Sequence, residues 1–167
     1  MDIEDDDWEL SPDTAHPTAA ELMQEAFFWD VTDENSPFGN DSGADALELY
    51  REARAEDPDL DSREFLVELL EQWDVDTGFA QEIPEEELAE RLEREHFHIL
   101  TYDDAIVGVA FAELVMTGTV NEDIAEAAIH SLERQALPEL LEFRGWSDPA
   151  ERRERCEQMI SVLRRSV

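Results

Sequence analysis

Four aspartates in and beside a turn-rich segment at residues 30–43 are the first candidates for chemistry. They are Asp30, Asp33, Asp41 and Asp45, and carboxylate oxygens are the ligands that hard cations such as Ca²⁺ prefer. Their spacing does not match the EF-hand loop, which places ligands at alternate positions and ends on a glutamate. Short polar side chains such as that of Asn40 are typical acceptors for turn and helix-start amides. The role in turns and helix starts is therefore the favoured interpretation, and we predict no metal site. These acids and Asn40 are retained as candidate binding residues.

A second group of carboxylates lies in residues 82–95, which hold seven glutamates. Glu87 and Glu90 have the Glu-x-x-Glu spacing with which some all-helical nucleotide pyrophosphatases hold magnesium. That chemistry also needs a second helix bearing Glu-x-x-Asp, and the acids of residues 122–133 do not supply it convincingly. A solvated helix face is the favoured interpretation. Glu86 and Glu90 are retained as candidate binding residues, and a metal-dependent nucleotide hydrolase stays open as the alternative function.

The histidines and the single cysteine form no recognisable catalytic constellation. His96 and His98 are two residues apart, which places them on different faces of a helix. Cys156 lies among arginines, which favour a lowered thiol pKa, but no histidine lies in the same segment. The HExxH, Walker, Rossmann and nucleophile-elbow motifs are absent from the sequence. We predict no catalytic residue and no cofactor.

The composition narrows the class of partner. The 167 residues include 45 acids and 12 basic residues, all of them arginine, for a net charge of −33. A protein that holds nucleic acid on a broad surface needs basic residues to offset phosphate charge, and anionic membrane surfaces likewise attract basic segments. We therefore predict no direct contact with nucleic acid or membrane, and we expect a basic protein as the partner.

Two explanations of the acidity stay open. A salt-adapted organism, or one with a very GC-rich genome, enriches Asp, Glu and Arg and loses Lys in its proteins, which fits the total absence of lysine. Alternatively, helical acids at positions i and i+4 lie about 5–6 Å apart and imitate a row of phosphates that attracts a basic partner. We favour the environment as the larger cause, and the two explanations can coexist.

Helical periodicity with matching start and stop signals extends over most of the chain. It predicts an all-α fold, a single compact bundle of about six to seven helices. Helix starts are predicted at Thr18 with Glu21, at Asp61 with Glu64, at Thr119 with Glu122, and at Asp148 ahead of Pro149.

Residues 105–116 are apolar nearly all round, which predicts a central helix ended by Gly118. The small residues in this segment should let neighbouring helices approach closely. A separate helix with Pro84 in its first turn should precede it. Residues 97–100 are the stretch that best fits a short extended piece.

An ordered aromatic loop is predicted near residues 28–43. This connection is longer than most links between helices, and Phe38 lies inside it between Pro37 and Gly39. A large aromatic side chain at such a position is best explained as the buried anchor of a fixed loop. Phe38 is therefore included among the candidate binding-surface residues.

The N-terminal residues differ in composition from the rest. Residues 1–13 carry seven acids and no base, which predicts an acidic, flexible tail, and residues 14–167 are predicted to form a single helical domain. The start has neither the basic region nor the apolar stretch of a secretory signal peptide. We therefore expect the protein in the cytoplasm.

Three sequence runs resemble those of the uncharacterised bacterial YfeS-like proteins. They are residues 10–17, the Phe-Trp-Asp at 28–30, and Ser-Pro-Phe-Gly-Asn-Asp-Ser-Gly-Ala-Asp at 36–45. More loosely, the Phe-Gly-Asn-Asp run followed by an Ala-rich helix with an embedded Glu113 is similar to a small bacterial domain of unknown function. The resemblance covers about residues 10–135 and implies a mostly helical fold with no established activity.

Together these patterns favour an acidic, non-enzymatic binding protein. The leading hypothesis is a protein–protein interaction module with an immunity- or antitoxin-like role. The metal-dependent hydrolase using carboxylates is the alternative, and a structural module normally joined to another protein is the third hypothesis.

Overall fold

The computed structural model of the chain describes residues 8–76 and 83–167, and within these ranges it contains seven α-helices and no strand. A single-turn 3₁₀ helix, Ala26–Trp29, follows the first of them. The helices share one hydrophobic core in a compact bundle, so the predicted all-α fold is confirmed. The helices are α1 (Pro17–Leu22), α2 (Asp41–Glu56), α3 (Ser62–Gln72), α4 (Glu85–Thr117), α5 (Glu122–Gln135), α6 (Pro138–Arg144) and α7 (Pro149–Arg165).

Helix α4 runs through the middle of the bundle. Residues 105–112 are all buried, and α2, α3 and α5 pack against this helix, which confirms the prediction of a central apolar helix. Gly118 ends it with a left-handed backbone (φ 83°), and the Gly118 N–H donates to the carbonyl of Leu114 at 2.8 Å. A residue with a Cβ is strained in this conformation, so the glycine is what permits the sharp stop.

The prediction of an extended piece at residues 97–100 is wrong, because these residues are helical. At Glu95 the backbone departs from helical dihedrals (φ −130°, ψ 23°), so α4 consists of two helical segments that meet at a kink, and the boundary between the two predicted helices lies at Glu95. Leu92 and Ile99 lie seven residues apart on either side of the bend, and both are buried. The two segments of α4 therefore contribute side chains to the same hydrophobic core.

The backbones of α2 and α4 approach each other closely where the two helices cross. A Cβ placed on Gly108 would lie 2.9 Å from the Cα of Gly43 and 3.2 Å from the Cβ of Ala46. Such distances leave no room for a side chain, so the two backbones touch through small residues. The prediction that the small residues of this segment allow close packing is confirmed at Gly108.

Four helices begin where short polar side chains cap them. Asn40 Oδ1 accepts from the Gly43 N–H at 2.7 Å, and Asp61 and Asp148 cap α3 and α7 as predicted. The start predicted at Thr119 is displaced, since Asn121 provides the cap of α5 through contacts with two amides.

Helix α1 also differs from its prediction. The cap is the His16 ring, whose Nδ1 accepts from the Thr18 N–H at 3.1 Å, so the predicted start at Thr18 is wrong by two residues. The helix ends at Leu22, and the chain continues into the 3₁₀ turn. The indole N–H of Trp29 donates to the carbonyl of Met23 at 2.8 Å and fixes this break.

The predicted ordered loop is present as a chain of turns. The N–H groups of Asp33, Ser36 and Gly39 each donate to the carbonyl three residues earlier, at 2.9–3.0 Å. A Cβ on Gly39 would lie 1.9 Å from the Asp33 carbonyl oxygen, which only glycine avoids. Phe38 is 1% exposed and belongs to the core, so the loop is anchored by its aromatic side chain.

Part of the predicted N-terminal tail, residues 1–7, lies outside the described residues. Within the part that is described, Trp8 packs against the core, and the Arg51 guanidinium lies 4.9 Å from its ring centroid. Within residues 8–76 and 83–167, none of the helices combines the length and the apolar character that a membrane span requires.

Candidate functional site

Helix α2 carries a straight row of acids on its exposed face. The row comprises Asp41, Asp45, Glu48, Glu52 and Glu56, spaced four, three, four and four residues apart, and all five are exposed. At 1.5 Å per residue the row is roughly 22 Å long. None of the five carboxylates forms an ion pair with a described residue. This face therefore presents uncompensated negative charge to the solvent.

Helix α3 adds a second acidic row beside the first. Glu64, Glu68 and Glu71 are exposed at spacings of four and three residues. We call these three acids and the five of α2 the acidic face.

Between the two rows lies a groove of about 270 Å³, the α2–α3 groove. Leu49, Leu60 and Phe65 contribute half-buried apolar surface to it. Glu52, Glu56 and Glu68 line it as well. The α2–α3 groove therefore combines apolar surface with carboxylates.

Two polar contacts and one aromatic contact link α2 to the start of α3 and to the connection before it. The hydroxyls of Tyr50 and Ser62 are hydrogen-bonded at 2.9 Å in the buried space between the helices. The Tyr50 ring meets Phe65 edge-on, with centroids 5.2 Å apart. Arg54 Nη1 donates to the Leu60 carbonyl at 3.2 Å. Burial raises the pKa of the Tyr50 hydroxyl above its ordinary value. The groove is therefore a preformed feature of the fold.

The loop acids of the predicted binding surface serve the loop itself. Asp30 Oδ1 accepts from the N–H and the hydroxyl of Thr32 at 2.9 and 2.6 Å, and these bonds lower the pKa of the Asp30 carboxyl. Asp33 Oδ1 accepts from the Asn35 N–H at 2.9 Å. Asn40 caps α2. These contacts are those of turn-forming side chains.

Glu86 and Glu90 lie apart from the acidic face. Both are exposed near the start of α4, and Glu90 pairs with Arg94 at 3.7 Å. They precede Gly108, where α2 crosses, by 22 and 18 residues, or roughly 33 and 27 Å along the helix. The structure thus brings Asp41 and Asp45 together on one face and leaves Glu86 and Glu90 far along α4.

The carboxylates proposed for metal chemistry are not gathered. Among the described residues, no group of three or more His, Cys, Asp or Glu side chains is arranged to hold a metal ion. Glu87 and Glu90 are exposed on the first turns of α4, and Glu82 lies outside the described residues. His98 Nδ1 accepts from the Asp76 N–H at 2.9 Å. The geometry of the described residues therefore gives the hydrolase alternative no support.

Burial decides the chemistry of Cys156. The thiol is fully buried, and this burial raises its pKa although Arg152 and Arg144 act in the opposite direction. Thiolates are the reactive form of cysteine, so a raised pKa makes the side chain inert. The arginines do not lower the thiol pKa, because desolvation outweighs their charge.

Sequence reasoning missed three buried charged residues in the core, Asp103, Arg134 and Arg152. Asp103 on α4 is fully buried and receives two bonds from Arg134 of α5, one of them from Nε to Oδ2 at 3.1 Å. Arg152 of α7 is 6% exposed and donates to Asn35 and Gln135. The available signal was the position of Asp103 immediately before the most apolar segment of the chain, where a carboxylate needs a partner.

The comparisons with known proteins give one detailed match. No family model matches the chain, and no solved structure matches it. It is similar to "Uncharacterized protein YfeS" of Escherichia coli (strain K12), with 26% identity over 136 residues, or 81% of this chain. The match spans 56% of the length of that relative. The resemblance of this chain to the YfeS-like proteins is therefore confirmed.

Proposed function

We propose that the protein is a cytoplasmic, non-enzymatic binding protein whose acidic face receives a basic segment of a partner protein. An immunity protein or an antitoxin that neutralises a basic toxin is a role of this kind. The observation that carries the proposal is the α2–α3 groove, where the half-buried Leu49, Leu60 and Phe65 lie among carboxylates without ion pairs to described residues.

The shape and chemistry of the groove suit an amphipathic partner helix. Such a helix places its apolar side chains in a hydrophobic groove at i, i+3, i+4 and i+7 spacing. Its lysines and arginines would then meet Glu52 and Glu56 on one side and Glu68 on the other. The apolar contacts supply affinity, and the carboxylates select a basic segment over an acidic one.

The charge of the acidic face acts mainly on the rate of association. Exposed ion pairs contribute about 0–1 kcal/mol each, so rim charges add little affinity. A field of one sign instead steers an oppositely charged partner and raises the association rate, an effect that salt weakens. The loop acids Asp30 and Asp33, and the distant Glu86 and Glu90, add to this field outside the groove.

Affinity capture with matched charge reversals tests the proposal. The immobilised full chain is exposed to a lysate of the source organism, and bound proteins are identified by mass spectrometry. Glu52→Arg with Glu68→Arg reverses two rim charges of the groove. Glu154→Arg with Glu157→Arg reverses two exposed acids on α7 and changes the net charge equally.

We expect wild type and the α7 variant to capture the same basic protein, and the groove variant to lose it. Capture that all three proteins share would contradict a role of the groove. A captured protein without a basic segment would contradict the role of charge complementarity. Circular dichroism of each variant confirms that the helices remain folded.

A further inference from the structure

A cavity on another part of the molecule contains two arginines. It measures about 420 Å³ and lies where α4, the loop and the α6–α7 connection meet. Arg144, Arg152 and Trp146 line it together with the acids Asp104 and Glu34. Its edge at Asn40 lies roughly 14 Å along α2 from Leu49 of the groove. It is therefore a feature independent of the proposed function.

Arg152 contributes a buried positive charge to this cavity that no carboxylate neutralises directly. The residue is 6% exposed, and its bonds go to the neutral groups of Asn35 and Gln135. It forms no ion pair with a described carboxylate. Burial lowers the pKa of its guanidinium. A buried ion without a counter-ion is costly in free energy. The arrangement is unusual here because the chain has 45 acids that could pair with an arginine.

The second arginine of the cavity is paired. Arg144 Nη2 donates to Asp104 Oδ1 at 3.0 Å and to the Leu100 carbonyl at 3.5 Å. The pair Arg144–Asp104 is close to neutral, so the charge of Arg152 remains as about one positive unit. Glu34 lines the cavity as well but is exposed to solvent, which screens its charge. Asp33 is half-buried and Glu151 is exposed, and neither forms an ion pair with Arg152.

Three buried nitrogen donors at this cavity lack acceptors. The Nε atoms of Arg144 and Arg152 and the indole nitrogen of Trp146 are buried and have no hydrogen-bond partner among the residues that the structure describes. All three are donors, so an acceptor is what this region lacks. The Arg152 guanidinium lies 4.5 Å from the Trp146 ring centroid, which keeps it in place beside the cavity.

We propose that this cavity binds a small monoanion with a carboxylate group and an apolar body. The carboxylate compensates the surplus charge of Arg152 and accepts hydrogen bonds from the arginines, which carry a planar fork that matches its geometry. Leu100, Phe143 and Trp146 supply apolar lining for the rest of the ligand. A single negative charge fits the single uncompensated positive charge.

Isothermal titration calorimetry of the full chain tests the assignment with benzoate as the probe. Benzamide is the matched neutral analogue, and sodium chloride holds the ionic strength constant, because a protein this acidic responds to salt alone. Arg144→Gln should weaken benzoate binding at least about tenfold, since the freed Asp104 then neutralises Arg152. Arg153→Gln on the same helix as Arg152, where residue 153 is exposed, should bind benzoate as wild type does.

A second variant should strengthen benzoate binding, so its result does not depend on whether Arg144→Gln folds. Asp104→Asn keeps a hydrogen-bond acceptor for Arg144 but removes the competing charge, so benzoate should bind several-fold more tightly. Absence of saturable benzoate binding to wild type, or equal binding of benzamide, would overturn the proposal. Unchanged affinity in both Arg144→Gln and Asp104→Asn would also overturn it. Saturable binding of inorganic phosphate without binding of benzoate would overturn the assignment to carboxylates.

Discussion

The buried pair between Asp103 and Arg134 allows a quantitative test of how the core tolerates charge. Asp103 is fully buried and the side chain of Arg134 is 6% exposed, so Asp103→Asn leaves a guanidinium in the core without its carboxylate. Removing one partner of a buried pair typically costs about 3–5 kcal/mol. In a protein of this size each kcal/mol lowers the melting temperature by about 2–4 °C. The expected loss is therefore roughly 6–20 °C.

Thermal unfolding followed by circular dichroism at fixed salt measures this loss in melting temperature, and urea unfolding measures the corresponding loss in free energy. Asp123→Asn is the matched control, since it removes the same charge from a pair with Arg63 whose two side chains are 55% and 66% exposed. Such a surface pair contributes about 0–1 kcal/mol. Equal losses for the two variants would refute the reasoning. The double variant Asp103→Leu with Arg134→Met should recover most of the stability, because it leaves no unpaired charge.

Three further predictions concern the whole fold. The melting temperature should rise from low ionic strength to about 1 M salt, where the Debye length is about 3 Å, because screening relieves the repulsion of a net charge of −33; a flat curve would contradict this. Phe38→Ala should cost about 3–5 kcal/mol, because the ring is 1% exposed, whereas Glu86→Gln should stay within about 0.5 kcal/mol; equal losses in urea titrations would mean that the ring does not anchor the loop. Burial raises the pKa of Glu113 in the folded state. As the pH falls, the Glu113 carboxylate therefore binds a proton in the folded state at a higher pH than in the unfolded state, and the free energy of unfolding should rise until the pH reaches about 4.3. Melting curves of Glu113→Gln should show a smaller rise, and an identical pH dependence would argue against this assignment.

Local signals predicted much of the fold because they act within a few residues. Asp61 and Asp148 cap their helices as the sequence indicates, and Phe38 anchors its loop. The position of the kink in α4 was not predictable in the same way. The kink lies at Glu95, and Leu92 before it and Ile99 after it are both buried in one core, which is a tertiary arrangement.

The sites were less accessible to sequence reasoning than the fold. The predicted acids Asp41 and Asp45 lie on the acidic face, but the groove depends on apolar residues of α2 and α3 that resembled ordinary core positions. The cavity beside Arg152 is assembled from segments more than one hundred residues apart, since Arg152 donates to Asn35. No rule based on sequence spacing connects residues this far apart. In the sequence, the charged residues of the cavity looked the same as those of a solvent-exposed helix face.

The association rate with the captured partner tests the central claim most directly. Stopped-flow mixing at two ionic strengths compares wild type with Glu52→Arg plus Glu68→Arg, and with the α7 control Glu154→Arg plus Glu157→Arg. We predict a wild-type rate that falls steeply with salt, a groove variant that associates at least about tenfold more slowly, and a control close to wild type. A rate that ignores both salt and the groove substitutions would contradict the proposal that the acidic face receives a basic partner.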